Sequence, residues 1–218
     1  ADLSKEHFDA REIKYVCFHY FLNGEEHLDD LGQYIPFDEI YKMMAEGAET
    51  KTAQVNVAEY IDHFRPYLDE GKDILHVTLS SGISGTVNSA RTAAEMLKAE
   101  YPDRKIYTVD TLAASLGQGM ITYYAAKKKE AGATIEEVRD FVESEKLHMC
   151  HWFTVDDLNY LKRGGRISAA TAAIGTMLSI KPVMHMDNEG HLVAVGKARG
   201  RKAALKALAD SMESTMLP

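Results

Sequence analysis

One stretch, from Asp73 to Lys98, constrains the fold more than any other part of the sequence. It begins with an apolar run rich in β-branched residues, Ile74 to Leu79, which is typical of a buried strand. A loop of small residues follows the run. After the loop, apolar residues recur at helical spacing, at Val87, Ala90, Ala94 and Leu97. The stretch therefore predicts a strand, a short loop and a helix, the repeating unit of a parallel α/β sheet.

The loop, Ser80-Ser81-Gly82-Ile83-Ser84-Gly85-Thr86, has the composition of an anion-binding site. Free N–H groups and the positive end of the helix dipole point at a ligand there, and Ser84 is placed as the N-cap or a first-turn residue. The loop holds no lysine or arginine and lacks the Gly-Lys-Ser/Thr ending of nucleotide-binding loops. A phosphate normally needs a cation, whereas hydroxyls and a helix end can hold a carboxylate, so we favour a carboxylate. The alternative is an ordinary turn whose serines only cap the helix.

The length of 218 residues suits one large α/β domain or two smaller ones. The formal net charge of −8 argues against a general nucleic-acid or anionic-membrane binder. Residues 1–146 hold 16 Lys and Arg against 27 Asp and Glu, whereas residues 147–218 hold 9 against 6. Either a docking face for an acidic partner or chance would explain the basic C-terminal part.

The cysteine usage predicts a cytoplasmic protein. Cys17 and Cys150 are far apart, and each lies in an apolar run, so we expect two buried thiols. No apolar run is long enough for a transmembrane helix, and the N-terminus does not resemble a signal peptide. Because the sequence opens without methionine and stops soon after a helix, we expect a chain trimmed at one or both ends.

The order of the predicted elements gives the domain organisation. Predicted strands cover 13–22, 74–79, 105–109, 147–155, 181–186 and 191–197. Predicted helices cover 4–11, 37–45, 57–68, 87–98, 120–130, 134–145, 156–162, 169–178 and 201–216. Strands alternate with helices up to residue 146, and a hairpin with helices follows. We therefore predict an α/β domain with a parallel-type sheet over residues 1–146 and a smaller α+β domain over residues 147–218, with ligands at the carboxyl ends of the parallel strands.

A second motif lies in the C-terminal part, Leu158-Asn159-Tyr160-Leu161-Lys162-Arg163-Gly164-Gly165-Arg166-Ile167. This motif and the Ser80 to Thr86 loop together resemble the Leu-x-x-Leu-x-x-Gly-Gly-Arg-Ile pattern and the Ser-Ser-x-x-Ser-Gly-Thr loop of the DegV family. The DegV family comprises bacterial fatty-acid-binding proteins, the lipid-carrying subunits of fatty acid kinase. Ile180-Lys181-Pro182 and the segment from Asp110 to Gly119 also fit, so the resemblance covers nearly the whole chain.

The resemblance implies a fatty acid whose acyl chain lies in a buried tunnel and whose carboxylate is held by Thr52 and Ser84. Ser81 and Gly85 of the same loop complete the implied fatty-acid-binding set. The family's Thr-Ser-Gln-Pro is Thr52-Ala53-Gln54-Val55 here, so the threonine is kept but its neighbouring hydroxyl and the proline are not. The family's first strand, which ends in Asp-Ser, and its C-terminal His-Thr-Gly motif are missing from this sequence. No histidine ligand is therefore assigned.

The resemblance also implies a partner. In the family the carrier does no chemistry, and a separate ATP-dependent fatty acid kinase phosphorylates the bound carboxylate to an acyl phosphate. The arginine of Gly-Gly-Arg lies near the kinase, which here is Arg166; a helix C-cap arginine is the alternative. We expect a monomer that needs no cofactor and no metal.

Three other kinds of site are alternatives to a fatty-acid-binding site: a hydrolase nucleophile, a metal site and a phosphate-ester site. Gly82-Ile83-Ser84-Gly85-Thr86 lacks the last glycine of a hydrolase nucleophile elbow. His148 and Cys150 on a strand would face away from His151, so a metal site would have only two converging ligands. A phosphosugar- or phosphate-ester-binding module remains the stronger rival, since such loops also hold phosphate monoesters.

Overall fold

The structure, a computed structural model, describes residues 2–168 and 179–216. Its helices are α1 (Lys5–Ala10), α2 (Phe37–Ala45), α3 (Val57–Asp69), α4 (Thr86–Glu100), α5 (Ser115–Glu130), α6 (Ile135–Glu145), α7 (Asn159–Arg163) and α8 (Arg201–Thr215). Its strands are β1 (His19–Leu22), β2 (Glu25–Leu28), β3 (Thr50–Ala53), β4 (Ile74–Thr78), β5 (Ile106–Asp110), β6 (Trp152–Phe153), β7 (Ile180–Met186) and β8 (Leu192–Arg199).

The predicted strand, loop and helix over residues 73–98 are confirmed as β4, a turn and α4. β4 pairs in parallel with β5, with Ile74 opposite Ile106 and Thr78 opposite Asp110. Parallel neighbours need a crossover connection, and α4 provides it. The carboxyl ends of both strands therefore meet at one edge, where the loop after β4 lies.

Helices cover both faces of this parallel pair. Successive side chains of a strand point to opposite faces, and Ile74 and Leu75 accordingly contribute to two different apolar clusters. The first cluster joins α3 and α4 to the sheet and contains Val55, Tyr60, Phe64, Leu68, Ala90, Ala93, Ala94, Leu97 and Ile106. The second joins α5 and α6 and contains Val109, Ala113, Ile121, Ala125, Val138 and Val142. This layering confirms the predicted α/β class.

An antiparallel sheet of order β2-β1-β3 precedes the parallel pair. The sequence predicted one strand over residues 13–22, but only His19–Leu22 pairs with neighbours, so the prediction is wrong for residues 13–18. β1 turns into β2 through Asn23 and Gly24, both at positive φ, as a tight hairpin requires. β3 was not predicted, because its sequence Thr-Lys-Thr-Ala has no apolar alternation. Pairing with β1 determines its structure.

A second antiparallel sheet, of order β6-β7-β8, follows the α/β part. The predicted hairpin is confirmed, with Lys181 opposite Ala198. The predicted strand over 147–155 is wrong: Lys146–His148 forms a 3-10 turn, and only Trp152 and Phe153 pair with β7. A small core of Leu158, Ile167 and Met184 joins α7 to this sheet. No strand in the described ranges belongs to two sheets, but the boundary at 146/147 stays a prediction.

Helix boundaries and burial correct further expectations. α5 begins at Ser115, five residues before the predicted start, although its first turns carry Gly117 and Gly119. The prediction of two buried thiols is wrong: Cys17 is half-buried, and Cys150 is exposed because the residues around it do not form the expected strand. The predicted helix over 169–178 lies outside the described residues. In the sequence, the spacing of Asn56 with Glu59 and of Thr134 with Glu137 predicts two capping boxes, and the structure contains both.

Candidate functional site

The carboxyl ends of β4 and β5 are tied together by one buried carboxylate. Oδ1 of Asp110, the last residue of β5, accepts hydrogen bonds from the N–H of Ser81 at 3.2 Å and of Leu112 at 3.0 Å. Asp110 is only 7% exposed. A carboxylate with backbone donors on both sides fixes the two loops relative to one another. Ser81, one of the predicted ligand residues, is therefore held through its backbone while its side chain stays exposed.

The turn of the β7–β8 hairpin rests on this loop. The buried Ser80 hydroxyl donates to the carbonyl oxygen of Gly190 at 2.8 Å and accepts from the N–H of Gly82 at 3.1 Å. A Cβ at Gly190 would lie 2.0 Å from Ser80 Oγ, and one at Gly82 would lie 2.5 Å from the Gly190 oxygen. Only glycine permits this close approach. The second sheet is thus held against the predicted ligand loop.

Ser84 occupies the position before the cap of α4, not the cap itself. The N-cap is Gly85, which makes no side-chain capping bond, so the predicted capping role of Ser84 is wrong. Its N–H donates to the carbonyl oxygen of Ser80 at 3.1 Å, and its Oγ accepts from the N–H of Thr86 at 3.3 Å. Within residues 2–168 and 179–216, the hydroxyl proton of Ser84 has no acceptor. The side chain can therefore donate to a bound anion.

The end of β3 reaches the start of α4 through Gln54. The Gln54 amide Nε2 donates to Ser89 Oγ at 3.3 Å, and its Oε1 lies where a Cβ at Gly85 would be 2.5 Å away. Thr52 lies two residues earlier, exposed and paired with Tyr20. The structure therefore brings the Thr52 segment to the loop, although no hydrogen bond among the described residues joins Thr52 to Ser84. Gln54 and its contact with Gly85 were not predicted as site features.

Arg166 reaches the same loop from the other part of the chain. Its Nε donates to the carbonyl oxygen of Ile83 at 3.2 Å, and its Nη1 donates to the carbonyl oxygen of Gly164. Gly165, at φ +74°, makes the turn that brings the side chain back. The bond to the Gly164 carbonyl, at the end of α7, supports the capping alternative, and the predicted position of Arg166 near a docked kinase stays a prediction. The Ser80–Thr86 loop and the Gly-Gly-Arg segment are thus in contact.

A buried polar chain lies beneath the loop. Tyr60 Oη and Thr86 Oγ1 are 2.8 Å apart, and His76 Nε2 lies 3.3 Å from Tyr60 Oη. Burial, with a smaller effect of nearby His63, lowers the pKa of His76 to about 4. Burial also raises the pKa of Tyr60. At neutral pH the chain therefore consists of an uncharged imidazole, an uncharged phenol and a hydroxyl.

The remaining candidates are a metal site, a pocket for the acyl chain and a membrane-spanning helix. Among the described residues, no group of three or more His, Cys, Asp and Glu side chains could hold a metal ion. Among the described residues, one surface hollow lies beside Gly132 and Phe141 and another beside Ile13 and Tyr67. No residue of the Ser80–Thr86 loop lines either hollow, and the implied acyl tunnel stays a prediction. No helix in the described ranges has the length and apolar character to span a bilayer.

A family model described as the uncharacterised protein family DegV matches residues 1–216. The chain belongs to the DegV family. A DegV domain-containing protein of Clostridium perfringens is 41% identical over 217 residues, covering 100% of this chain and 75% of the relative. The family resemblance drawn from the sequence motifs is therefore confirmed.

Solved structures of the family are similar over nearly the whole chain. A DegV family protein of Thermus thermophilus, described by its fatty acid binding, superposes with a TM-score of 0.84 at 33% identity, over 98% of this chain and 74% of that one. The fatty acid kinase (Fak) B3 protein of Streptococcus pneumoniae, loaded with linoleic acid, gives 0.81 at 25% identity, over 91% and 69%. These structures support the α/β fold with a smaller antiparallel-sheet part.

Proposed function

We propose that this chain binds a long-chain fatty acid with the carboxylate at the Ser80–Thr86 loop and presents it to a separate ATP-dependent fatty acid kinase. The observation that carries the proposal is the convergence of three segments at the loop: Gln54 beside Gly85, Gly190 beside Ser80 and Arg166 beside Ile83. The Thermus and Streptococcus structures, which are described with fatty acids, support the ligand class.

The headgroup site would use hydroxyls and N–H groups rather than a loop cation. Among the described residues the Ser84 hydroxyl proton has no acceptor, and α4 begins two residues later at Thr86, with its dipole's positive end towards the loop. Thr52 would add a second hydroxyl from the end of β3. A singly charged carboxylate can accept two or three such bonds, each contributing about 1.5–3 kcal/mol because the acceptor is charged.

The acyl chain would supply most of the affinity. Burial of each methylene gains about 0.8 kcal/mol before ordering costs, so a long alkyl chain outweighs the headgroup bonds. Thr52 and Ser84 would accordingly fix where the carboxylate lies more than how tightly the lipid binds. This division of roles predicts that headgroup variants affect phosphorylation more than binding.

Arg166 would serve the presentation step. The guanidinium is exposed and lies against the carbonyl oxygen of Ile83, one residue before Ser84. A cation at that place can meet the acidic surface or the nucleotide phosphates of a docked kinase. The chain itself would contribute binding and orientation, and the kinase would transfer the phosphoryl group. The likeness to a fatty acid kinase B3 protein supports this partner.

A phosphate-ester-binding module is the rival, because Arg166 brings to the loop the cation that the loop itself lacks. Thermal unfolding of the purified protein with oleate, and separately with glucose 6-phosphate, distinguishes the two. The proposal expects stabilisation by oleate and none by the sugar phosphate. The reverse result would replace the fatty acid with a phosphate ester, and stabilisation by neither would remove the loop as a site for both ligands.

A further inference from the structure

Three polar side chains from three elements form a chain inside the first apolar cluster. Tyr60 on α3 is 2% exposed and Thr86 at the start of α4 is 1% exposed, with Oη and Oγ1 2.8 Å apart. His76 on β4 lies at the other side of the phenol, with Nε2 3.3 Å from Oη and the ring centroids 5.0 Å apart. These contacts join α3, β4 and α4 at one point.

The phenol hydroxyl is not needed for packing. Tyr60 belongs to the buried row of α3 together with Phe64 and Leu68, and Phe64 fills its own position in that row without a hydroxyl. Burying a hydroxyl costs free energy unless it finds partners, so its presence at residue 60 calls for a reason beyond filling space. The bonds to Thr86 and His76 are the contacts that phenylalanine could not make, and the bond to Thr86 is the shorter of the two.

Thr86 connects this buried chain to the headgroup loop. Its side chain is held by Tyr60, and its N–H donates to Ser84 Oγ at 3.3 Å. That N–H occupies one acceptor position of the Ser84 hydroxyl and thereby directs where the hydroxyl proton can point. The bond from the Thr86 hydroxyl to Tyr60 in turn limits how far Thr86, at the start of α4, can move.

We infer that Tyr60 is a positioning residue, which acts through Thr86 to aim the Ser84 hydroxyl at the carboxylate of the bound ligand. The inference rests on the proposed function and adds to it a residue that the ligand does not touch. Its action should appear in the geometry of the bound headgroup and in phosphorylation, and only weakly in the affinity for the lipid.

The test uses the full chain, four single variants and the double variant of Tyr60→Phe with Thr86→Val. Tyr60→Phe and Thr86→Val each remove one hydroxyl at nearly constant shape, and Thr86→Ser keeps the hydroxyl. Tyr107→Phe is the matched control, because it removes a phenol that donates to Glu136 Oε1 at 3.0 Å on the α6 side of the sheet. Each protein is loaded with oleate labelled with carbon-13 at the carboxyl carbon, and the bound carboxyl resonance, the dissociation constant and the rate of phosphorylation by the kinase are measured.

We expect Tyr60→Phe and Thr86→Val to shift the bound carboxyl resonance and to slow phosphorylation about tenfold, the effect of about one hydrogen bond, with the dissociation constant changed less than about threefold. The double variant should be no slower than either single one, Thr86→Ser should recover most of the rate that Thr86→Val loses, and Tyr107→Phe should match the parent protein. A parental resonance and rate in Tyr60→Phe would overturn the inference. So would an equal effect of Tyr107→Phe, since the hydroxyl would then act through stability alone. If the parent protein itself gives no bound resonance, the proposed function fails first.

Discussion

The guanidinium Nε of Arg166 donates to the carbonyl oxygen of Ile83 at 3.2 Å, across 83 residues of sequence. This bond joins two of the motifs by which the chain resembles its family, the Gly-Gly-Arg segment and the Ser-Gly-Thr loop. A guanidinium bonded to Ile83, the residue before Ser84, is well placed to contact a ligand or a partner protein at the headgroup site. The two motifs therefore form one surface.

Replacing Arg166 with alanine should separate binding from presentation. We expect the dissociation constant for oleate to change less than about twofold and phosphorylation by the kinase to fall about tenfold, because the bonds lost to the Ile83 and Gly164 carbonyls are exposed, whereas the partner loses a charged contact. Arg163→Ala is the control, since that guanidinium lies over the Tyr160 ring at 4.9 Å. Equal phosphorylation rates for the Arg166 variant and the parent protein would remove Arg166 from the docking surface.

Replacing Ser84 with alanine should weaken oleate binding about threefold to tenfold and slow phosphorylation more than that, because one donor to a charged oxygen is lost while the acyl burial is kept. Competition with a fluorescent fatty acid gives the first value, and acyl phosphate formation gives the second. Ser144→Ala, whose hydroxyl donates to the carbonyl oxygen of Phe141, is the control. If binding and turnover are both unchanged, the headgroup assignment is wrong.

Gly190→Ala should destabilise the chain by displacing the turn of the β7–β8 hairpin from Ser80 of the Ser80–Thr86 loop. A Cβ there would lie 2.0 Å from Ser80 Oγ, whereas a Cβ at Gly132 would have open space around it. Both glycines have positive φ, so the cost of the backbone conformation is shared. We expect Gly190→Ala to lower the free energy of unfolding about 2 kcal/mol more than Gly132→Ala in urea titrations, through overpacking and loss of the Ser80 bond. Equal losses would contradict the contact between the two parts.

Acid should destabilise the chain through His76. Its pKa falls from 6.5 when unfolded to about 4 when folded, so the unfolded state binds the proton first as the pH drops. The stabilisation is complete above pH 6.5 and is lost progressively towards pH 4, with about 2 kcal/mol gone by about pH 5. Burial lowers the pKa of His63 and His151 in the same direction. Urea titrations at several pH values should therefore show that the free energy of unfolding falls less with acid in His76→Gln than in the parent protein. An equal fall in the two proteins would contradict this account.

The sequence predicted the local features that depend on neighbouring residues. The β-branched run, the small-residue loop and the apolar spacing at Val87 and Ala90 were sufficient for β4 and α4, and the capping boxes were sufficient for the starts of α3 and α6. Those signals depend on hydrogen bonds and spacing within a few residues.

What the sequence did not predict depends on distant partners. β3 is a strand because β1 pairs with it, and residues 147–151 are not, because pairing with β7 begins only at Trp152. The hydrogen bonds of Ser80 with Gly190 and of Arg166 with Ile83 join residues more than eighty positions apart. A single sequence has no periodic signal for such contacts. The family resemblance, and not periodicity, led to Thr52 and Arg166.

The central claim is that this chain carries a fatty acid. The most direct test is organic extraction and mass spectrometry of the chain purified from bacteria under native conditions. We predict about one equivalent of a long-chain fatty acid per chain, with the amount reduced in Ser84→Ala and unchanged in Ser144→Ala. A chain that yields no lipid, and that then gains no thermal stability from added oleate or palmitate, would contradict the account.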